Sequence, residues 1–229
     1  MTRLVGRILR LALAIAIAAP LVVLALMGLW RVAPPVSTLM LFRYLTAQKV
    51  ERDYVPLGRI APALTAAVLM SEDARFCRHS GVDWDALGEV LENADEEGPA
   101  RGASTIAMQV AKNLFLWPSR SVVRKGIEIP LALALGALWP KRRIIEVYLN
   151  IAEWGPNGVF GAEAAARADF GKSASALTLH EAALMATALP NPLKRLPARP
   201  KPGHLRLAQR IAGRVGQSAP WLDCLARQE

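Results

Sequence analysis

The chain has 229 residues, of which 53% are apolar, a length that allows one domain with a sizeable core together with a membrane segment. Its net charge of +9 favours anionic partners such as lipid headgroups or phosphorylated substrates. A zinc-finger spacing and a repeated basic-aromatic pattern are both missing, which argues against nucleic acid as a partner. The two cysteines, Cys77 and Cys224, cannot form a metal site alone. Two free thiols are the favoured interpretation, and one bridge in an oxidising compartment is the alternative.

A run of twenty uncharged residues, Leu11–Trp30, follows the N-terminus. At 1.5 Å per residue it spans roughly the 30 Å hydrocarbon core of a bilayer. We therefore predict a transmembrane helix over residues 11–31, after a cytoplasmic N-terminus over residues 1–10. A cleaved signal peptide is the less favoured alternative, because the apolar run continues past Pro20. The positive-inside rule orients the segment with its N-terminus in the cytoplasm and the remainder outside, because it is preceded by Arg3, Arg7 and Arg10.

The residues after the anchor divide into three predicted parts: a juxtamembrane segment (32–58), a domain (59–217) and a C-terminal tail (218–229). Apolar residues recur at helical spacing through most of the domain, and alternating runs of strand length are scarce, which predicts a mainly α fold. From Pro190 the chain is rich in proline and in basic residues, and we expect it to run along the surface. Helices are predicted near 59–72, 83–92, 105–116, 121–138, 141–152, 160–169, 178–188 and 203–216.

Glu72 is the first candidate catalytic residue. It follows Val68 by four positions and Leu64 by eight, so its carboxyl group shares a helical face with apolar side chains. Partial burial there raises the pKa of a carboxyl group towards the range useful for a general base. The structural alternative is a glutamate that pairs with a nearby arginine. The adjoining loop extends the candidate site, with His79 interpreted as a residue that holds the loop; its members are Asp73, Phe76, His79 and Gly81.

A second segment begins with a turn at Gly102 and continues into a helix for which Ser104 or Thr105 is a natural N-cap. Thr105, Gln109 and Lys112 form a polar stripe on that helix. A helix start with free amides, hydroxyl groups and a lysine favours bound anions. A capped amphipathic helix is the alternative interpretation.

A third segment places Arg124, Lys125 and Glu128 on one helical face, at spacings of three and four residues. Ion pairing on the protein surface is the alternative interpretation. Together with Glu72, this segment provides paired carboxylates with cationic side chains, a combination that predicts sugar chemistry on a phosphate-bearing substrate.

Five ordered segments of the sequence resemble family 51 glycosyltransferases, which polymerise peptidoglycan strands. The resemblance covers about residues 55–193 and is carried by residues 72–81, 102–113, 124–128, 141–150 and 170–181. It implies a lysozyme-like helical fold and lipid II as the substrate, with the growing glycan strand as a second partner. It also implies that Glu72 is the general base and that Glu128 is a second catalytic residue, which lies near the diphosphate and sugar of the donor. Cys77 departs from the family pattern, in which proline or another small residue is expected.

The resemblance extends the site to a larger set of substrate-binding residues. This set contains Asp73, Phe76, His79, Gly81, Gly102, Ser104, Thr105, Gln109, Lys112, Asn113, Arg124, Lys125 and Arg143. A divalent cation, Mg²⁺ or Mn²⁺, is implied at the diphosphate with unassigned ligands, and no organic cofactor is expected.

Several further expectations concern location and partners. The implied location is the bacterial inner membrane, with a periplasmic catalytic domain and with proteins of cell division or elongation as partners. No transpeptidase domain follows before Glu229, so we expect glycan synthesis without cross-linking. Two competing functions remain open. One is a lytic glycosidase on the same fold, with Glu72 as the acid, and the other is a non-catalytic membrane scaffold.

Overall fold

A computed structural model describes residues 2–92, 104–117, 121–217 and 222–226. The chain separates into two compact units, Met1–Pro34 and Pro35–Glu229.

The first unit contains a single long helix, α1 (Thr2–Trp30), which continues through Pro20. Its composition is rich in alanine and leucine, which are strong helix formers. Residues Leu4–Trp30 form a helix long and apolar enough to cross a membrane. Large apolar side chains along it, such as Leu9 and Leu13, are exposed, as expected for a lipid-facing helix. The helix contains the predicted transmembrane run and begins earlier, within the predicted cytoplasmic N-terminus.

The second unit is mainly α-helical, as predicted. Seven of its helices lie within about two residues of their predicted limits, the helix predicted from residue 59 begins at Pro62, and the juxtamembrane segment and the C-terminal tail each form a short helix that was not predicted. In chain order, the helices of this unit are α2 (Thr38–Leu45), α3 (Pro62–Glu72), α4 (Trp84–Glu92), α5 (Ile106–Phe115), α6 (Val122–Leu138), α7 (Lys141–Ile151), α8 (Ala162–Phe170), α9 (Leu179–Ala188), α10 (Pro202–Val215) and α11 (Asp223–Ala226).

The core is built around α3, which packs against α9 and α10. Every residue of α3 from Leu64 to Met70 is buried, including the predicted core residues Leu64 and Val68. The expectation that the chain from Pro190 runs along the surface is wrong for α10. This helix is amphipathic, so its apolar face packs into the core while its arginines stay outside. His204 of α10 hydrogen-bonds the carbonyl of Leu184 in α9 at 2.9 Å, which fixes the packing.

A small three-stranded sheet was missed by the sequence analysis. Its strands are β1 (Glu51–Arg52), β2 (Glu153–Gly155) and β3 (Val159–Phe160). The central strand β3 pairs parallel to β1 and antiparallel to β2. Strands of two or three residues are too short to show an alternating pattern, so periodicity does not reveal them.

The two cysteines form a disulfide, so the interpretation of Cys77 and Cys224 as free thiols is wrong. Their Cα atoms lie 5.6 Å apart although 147 positions separate them in the sequence. Cys77 lies in a 3₁₀ turn (Phe76–Arg78), which begins four residues after the last residue of α3. Cys224 lies in α11. The bridge therefore ties the C-terminal segment to the loop that follows Glu72. Sequence separation gives no information about such a contact.

Reduction of this disulfide is expected to destabilise the domain by about 2–5 kcal/mol, because the bridge constrains a long loop of the unfolded chain. Urea unfolding with and without a reductant measures the difference. A Cys77→Ser/Cys224→Ser double variant is the control, since its unfolding midpoint should not respond to the reductant. If the reductant leaves the unfolding midpoint of the wild-type protein unchanged, the disulfide does not stabilise the folded domain.

Candidate active site

Glu72 is the last residue of α3, and its side chain is partly buried. Gln109 of α5 donates a hydrogen bond from Nε2 to Oε2 of Glu72 at 3.1 Å. Burial raises the pKa of the Glu72 carboxyl group, while hydrogen bonds from Gln109 and Ser71 and the charges of Lys112 and Arg195 act in the opposite direction. The raised pKa agrees with the prediction made from the apolar face of α3. A carboxylate with such a pKa is suited to take up a proton.

Asp73 joins the end of α3 to the start of α5. Its Oδ2 accepts a hydrogen bond from the backbone N–H of Ile106 at 2.9 Å, and its Oδ1 lies 3.0 Å from Nε2 of His79. Thr105 is the N-cap of α5 and accepts from the N–H of Met108. Two of the amides at this helix start, those of Ile106 and Met108, therefore bind acceptors within the protein, and anion binding by the helix start stays a prediction. The protein's own Asp73 carboxylate already occupies the positive end of the helix.

The loop after Glu72 packs directly on α6, the helix that carries Glu128. Gly81 has a φ of 100°, and a Cβ there would lie 2.2 Å from the carbonyl oxygen of Ala132. A Cβ on Gly136 would lie 2.7 Å from the carbonyl of Ser80. Both positions need glycine, because the two backbones touch. This contact brings the segments that carry the two glutamates together.

Three further hydrogen bonds hold the same loop. The hydroxyl of Thr105 donates to the carbonyl of Gly81 at 2.5 Å. The Lys141 ammonium donates to the carbonyls of Phe76 and His79 and lies over the Phe76 ring. Burial lowers the pKa of Lys141 to about 8, against a raising effect of Asp73. Phe76 and His79 thus support the loop from inside, which fits the interpretation of His79 as a loop-holding residue.

Glu128 is 3% exposed and binds two cations of its own helix. Arg124 pairs with its Oε1, and Nζ of Lys125 lies 3.1 Å from its Oε2. Lys125 also donates to the Ser104 hydroxyl at 2.5 Å, which links α6 to the segment before α5. The predicted common face of these residues is confirmed. The pairs are largely buried, unlike the surface ion pairs considered as the alternative.

Lys112 connects the two halves of the site. Burial lowers the pKa of its ammonium group, and the charges of both Glu128 and Glu72 raise it. The charges of Arg124 and Lys125 lower the pKa of Lys112 further. Lys112 therefore lies within electrostatic reach of both glutamates. Of the side chains that the structure describes, none hydrogen-bonds this ammonium.

Two predicted site residues, Arg143 and Asn113, have described contacts with residues outside this group. Arg143 pairs with Glu146 and donates to the Tyr54 hydroxyl at 2.8 Å. Asn113 is partly buried on α5, and its backbone carbonyl accepts a hydrogen bond from Thr38. Gly102 lies outside the described residues.

The sequence analysis missed a basic cavity beside Glu72. Its volume is about 290 Å³ and it lies between α3, the segment after α9, and α10. Three arginines line it together with Glu72, namely Arg195, Arg210 and Arg214. The sequence shows these arginines in the basic run after Pro190. It does not show that the packing of α10 against α3 brings them close to the carboxylate of Glu72. Glu72 therefore lies near two separate cationic groups, one that contains Lys112 and one made of these three arginines.

Comparison with known proteins identifies this arrangement. The signature of the transglycosylase family matches residues 40–215, which include every element of the site. The chain belongs to the transglycosylase family. Relatives named biosynthetic peptidoglycan transglycosylase occur in Nitrobacter hamburgensis (54% identity, 79% of this chain and 80% of the relative) and Brucella suis (54%, 83% and 85%). Another, from Rhodopseudomonas palustris strain HaA2, is 52% identical over 98% of this chain and 97% of its own length.

Membership of the transglycosylase family fits the chemistry that the side chains can perform. A transglycosylase joins two sugars, so it needs a base for the attacking hydroxyl group and positive charge for the departing group. Glu72 is the candidate for the first need, and the cluster of Lys112, Arg124 and Lys125 is the candidate for the second. The mainly helical, lysozyme-like fold that the resemblance implied is the fold of this transglycosylase domain.

Proposed function

We propose that this peptidoglycan glycosyltransferase polymerises lipid II into β-1,4-linked glycan strands and releases undecaprenyl diphosphate. The observation that carries the proposal is a partly buried carboxylate, Glu72, flanked by two separate cationic groups. The donor and the acceptor of such a reaction each carry a diphosphate. Two cationic groups around one base match two anionic lipids, whereas a lytic enzyme acting on neutral glycan needs neither group.

Glu72 is the proposed general base. Its carboxylate removes the proton from the 4-hydroxyl group of the acceptor sugar, and the resulting oxygen attacks the anomeric carbon of the donor. The bond from that carbon to the diphosphate breaks, and the electron pair leaves with the diphosphate. Attack opposite the leaving group inverts an α-linked donor into a β-linked product. The hydrogen bond from Gln109 holds the carboxylate in place for this transfer.

The leaving diphosphate is stabilised by Lys112, Arg124 and Lys125. A diphosphate departs without protonation, so the barrier is lowered by fixed positive charge near its oxygens. Glu128 orients Arg124 and Lys125 through its two carboxylate oxygens, and Ser104 also binds Lys125. Because both oxygens of Glu128 are engaged, its proposed role is to hold the cations beside the donor.

A divalent cation remains a proposal from the family resemblance. Among the residues described, no group of three or more His, Cys, Asp and Glu side chains is placed to hold a metal ion. Both oxygens of Glu128 bind cations, and both oxygens of Asp73 bind internal groups. Among the described side chains, those of Glu128 and Asp73 therefore do not fit a protein-held Mg²⁺ or Mn²⁺, and the steps above use only the protein's own cations.

The proposed location is the inner membrane, with α1 as a single-pass anchor and the catalytic domain in the periplasm. Three arginines before the apolar run support a cytoplasmic N-terminus. The Cys77–Cys224 disulfide gives independent support, because such bridges persist in the periplasm and are rare in the cytosol. Leu41, Phe42 and Leu45 of α2 are more than half exposed, which suits a surface near lipid.

Incubation of the detergent-solubilised full-length protein with labelled lipid II tests the proposal. Electrophoresis of the products should show glycan strands that lengthen with time. Shortening of preformed strands would instead identify a lytic enzyme, and an inactive protein would favour a scaffold. Expected partners in cell division or elongation remain predictions.

The basic cavity should contribute to binding of the acceptor. An Arg210→Gln/Arg214→Gln double variant is expected to raise the KM for lipid II by about tenfold, because charge-assisted contacts to phosphate contribute more than about 1 kcal/mol. Arg206→Gln on the same helix removes an exposed cation outside the cavity and is the matched control. Initial rates across lipid II concentrations provide the comparison. Equal KM values in the two variants would show that this cavity does not contribute to binding of lipid II.

A further inference from the structure

Tyr148 is connected to the proposed base through one intervening side chain. It lies on α7, is 2% exposed, and donates its hydroxyl hydrogen to Oε1 of Gln109 at 3.1 Å. The other end of the same amide, Nε2, donates to Oε2 of Glu72 at 3.1 Å. The three residues come from α7, α5 and α3, so the connection crosses three helices. Neither bond was foreseen in the sequence analysis.

The hydroxyl of Tyr148 sets the direction of the Gln109 amide. Burial, followed by the charges of Glu72 and Asp73, raises the pKa of Tyr148 well above its usual value, so the hydroxyl keeps its proton. A protonated hydroxyl beside Oε1 donates to it, and the amide nitrogen must then face the other way. The N–H of Gln109 is thereby directed at Glu72.

Without that hydroxyl the amide has two nearly isosteric orientations. Rotation by about 180° exchanges Oε1 and Nε2 with little change in shape. The rotated amide presents an oxygen to the Glu72 carboxylate, which is repulsive and disfavours the charged form of the base. Gln109 alone therefore does not guarantee that Glu72 is deprotonated and correctly oriented.

We infer that Tyr148 is a positioning residue for the reaction, which fixes the Gln109 amide so that its N–H holds the Glu72 carboxylate. This inference rests on the proposed role of Glu72 as the general base. Tyr148 does not contact the reacting atoms and acts only through Gln109. The charged groups that face Glu72 from the surrounding elements are Lys112 on α5, Arg195 after α9, and Arg210 and Arg214 on α10.

The test compares Tyr148→Phe with the wild-type enzyme in lipid II polymerisation across a range of pH. Phenylalanine keeps the buried ring and removes only the hydroxyl group. We expect kcat to fall on the order of tenfold, as for loss of a hydrogen bond to a charged group. The acidic limb of the pH profile should move to higher pH, and KM should change little. A purely structural role would not move that limb.

Tyr54→Phe is the matched control. Like Tyr148, Tyr54 donates a hydrogen bond from its hydroxyl group, but the acceptor is Oε1 of Glu146 on α7, at 2.9 Å. This bond lies outside the Glu72 group. The acidic limb of Tyr54→Phe should coincide with that of the wild type. Similar pH profiles for Tyr148→Phe and Tyr54→Phe would overturn the inference.

A double-mutant cycle with Gln109→Met tests the route of the effect. This variant leaves Tyr148 in place and should itself move the acidic limb upwards, even if Tyr148→Phe folds poorly. In the Gln109→Met background, Tyr148→Phe should reduce kcat by less than about twofold. A full reduction there, or an unmoved limb in Gln109→Met, would contradict the inference. A wild type that does not extend lipid II contradicts the proposed function instead.

Discussion

Replacement of Glu72 by glutamine is expected to reduce glycan polymerisation by about 10²–10⁴-fold, the usual contribution of a general base. Glutamine keeps the size of the side chain and can still accept a hydrogen bond from Gln109, so the surrounding packing is preserved. In the wild type, the rate should fall on acidification as Glu72 becomes protonated, at a pH above the ordinary value for a glutamate. Initial rates on lipid II measure both effects, and retained activity in Glu72→Gln would exclude Glu72 as the base.

The same substitution should stabilise the fold at neutral pH. Because burial raises the pKa of Glu72 in the folded state, its favourable contribution is present below the unfolded pKa and is lost as pH rises through the folded pKa. At pH 7 the charged carboxylate therefore costs stability, and neutral glutamine removes that cost. The gain should shrink as the pH is lowered towards the ordinary range of a glutamate carboxyl group. Urea unfolding at several pH values measures it.

Glu181 provides a control, because the pKa of its carboxyl group is shifted in the opposite direction to that of Glu72. Burial alone would raise the pKa of its carboxyl group, but hydrogen bonds from Lys172 and Thr178 lower it overall. Its contribution to stability is therefore present above the unfolded pKa and is lost as pH falls through the folded pKa. Glu181→Gln should destabilise the protein at pH 7 and have less effect in acid. If both variants shift stability in the same direction, the burial argument for Glu72 fails.

Removal of the Glu128 carboxylate should have the largest effect on stability. In Glu128→Ala, Arg124 and Lys125 both lose their anionic partner, and the Arg124 side chain is only 11% exposed. Breaking a buried pair in this way typically costs about 3–5 kcal/mol, because an uncompensated charge stays buried. Polymerisation should fall as well, since the two cations are no longer held beside the donor. Urea unfolding and initial rates on lipid II provide the two measurements.

Glu51→Ala is the matched control for that variant. Glu51 pairs with Lys49 at 2.6 Å, but the two side chains are 44% and 68% exposed. Exposed pairs contribute little, so Glu51→Ala should change the free energy of unfolding by less than about 1 kcal/mol. If Glu128→Ala and Glu51→Ala lower the free energy of unfolding by the same amount, water screens the Glu128 ion pairs. Arg124 and Lys125 then do not need a buried carboxylate as a partner.

The sequence predicted those features that depend on local periodicity. The burial of Glu72 follows from its spacing to Val68, and the ion pairs of Glu128 follow from spacings of three and four residues. Helix limits were predictable for the same reason. The N-cap role of Thr105 was also visible, because a hydroxyl before an apolar helical run is a local signal.

Features that depend on distant packing were not predictable. Asp73 was assigned to the substrate, yet its oxygens bind Ile106 and His79, a partnership that requires the folded approach of α5. The Cys77–Cys224 bridge spans most of the domain. The arginines of α10 looked like a solvated surface until their helix packed beside Glu72. In each case the partner lies far away in the sequence, where spacing gives no information.

The bonds of Asp73 and Thr105 have a consequence for inhibitor design. Asp73 ties the end of α3 to the first amide of α5, and Thr105 ties that helix back to Gly81. These bonds should therefore limit how far the proposed base, Glu72, and the helix that carries Lys112 can move apart to accept a poorly fitting molecule. A stiff compound with a neutral centre and negative groups at both ends should therefore lose little entropy on binding and be favoured over a flexible analogue.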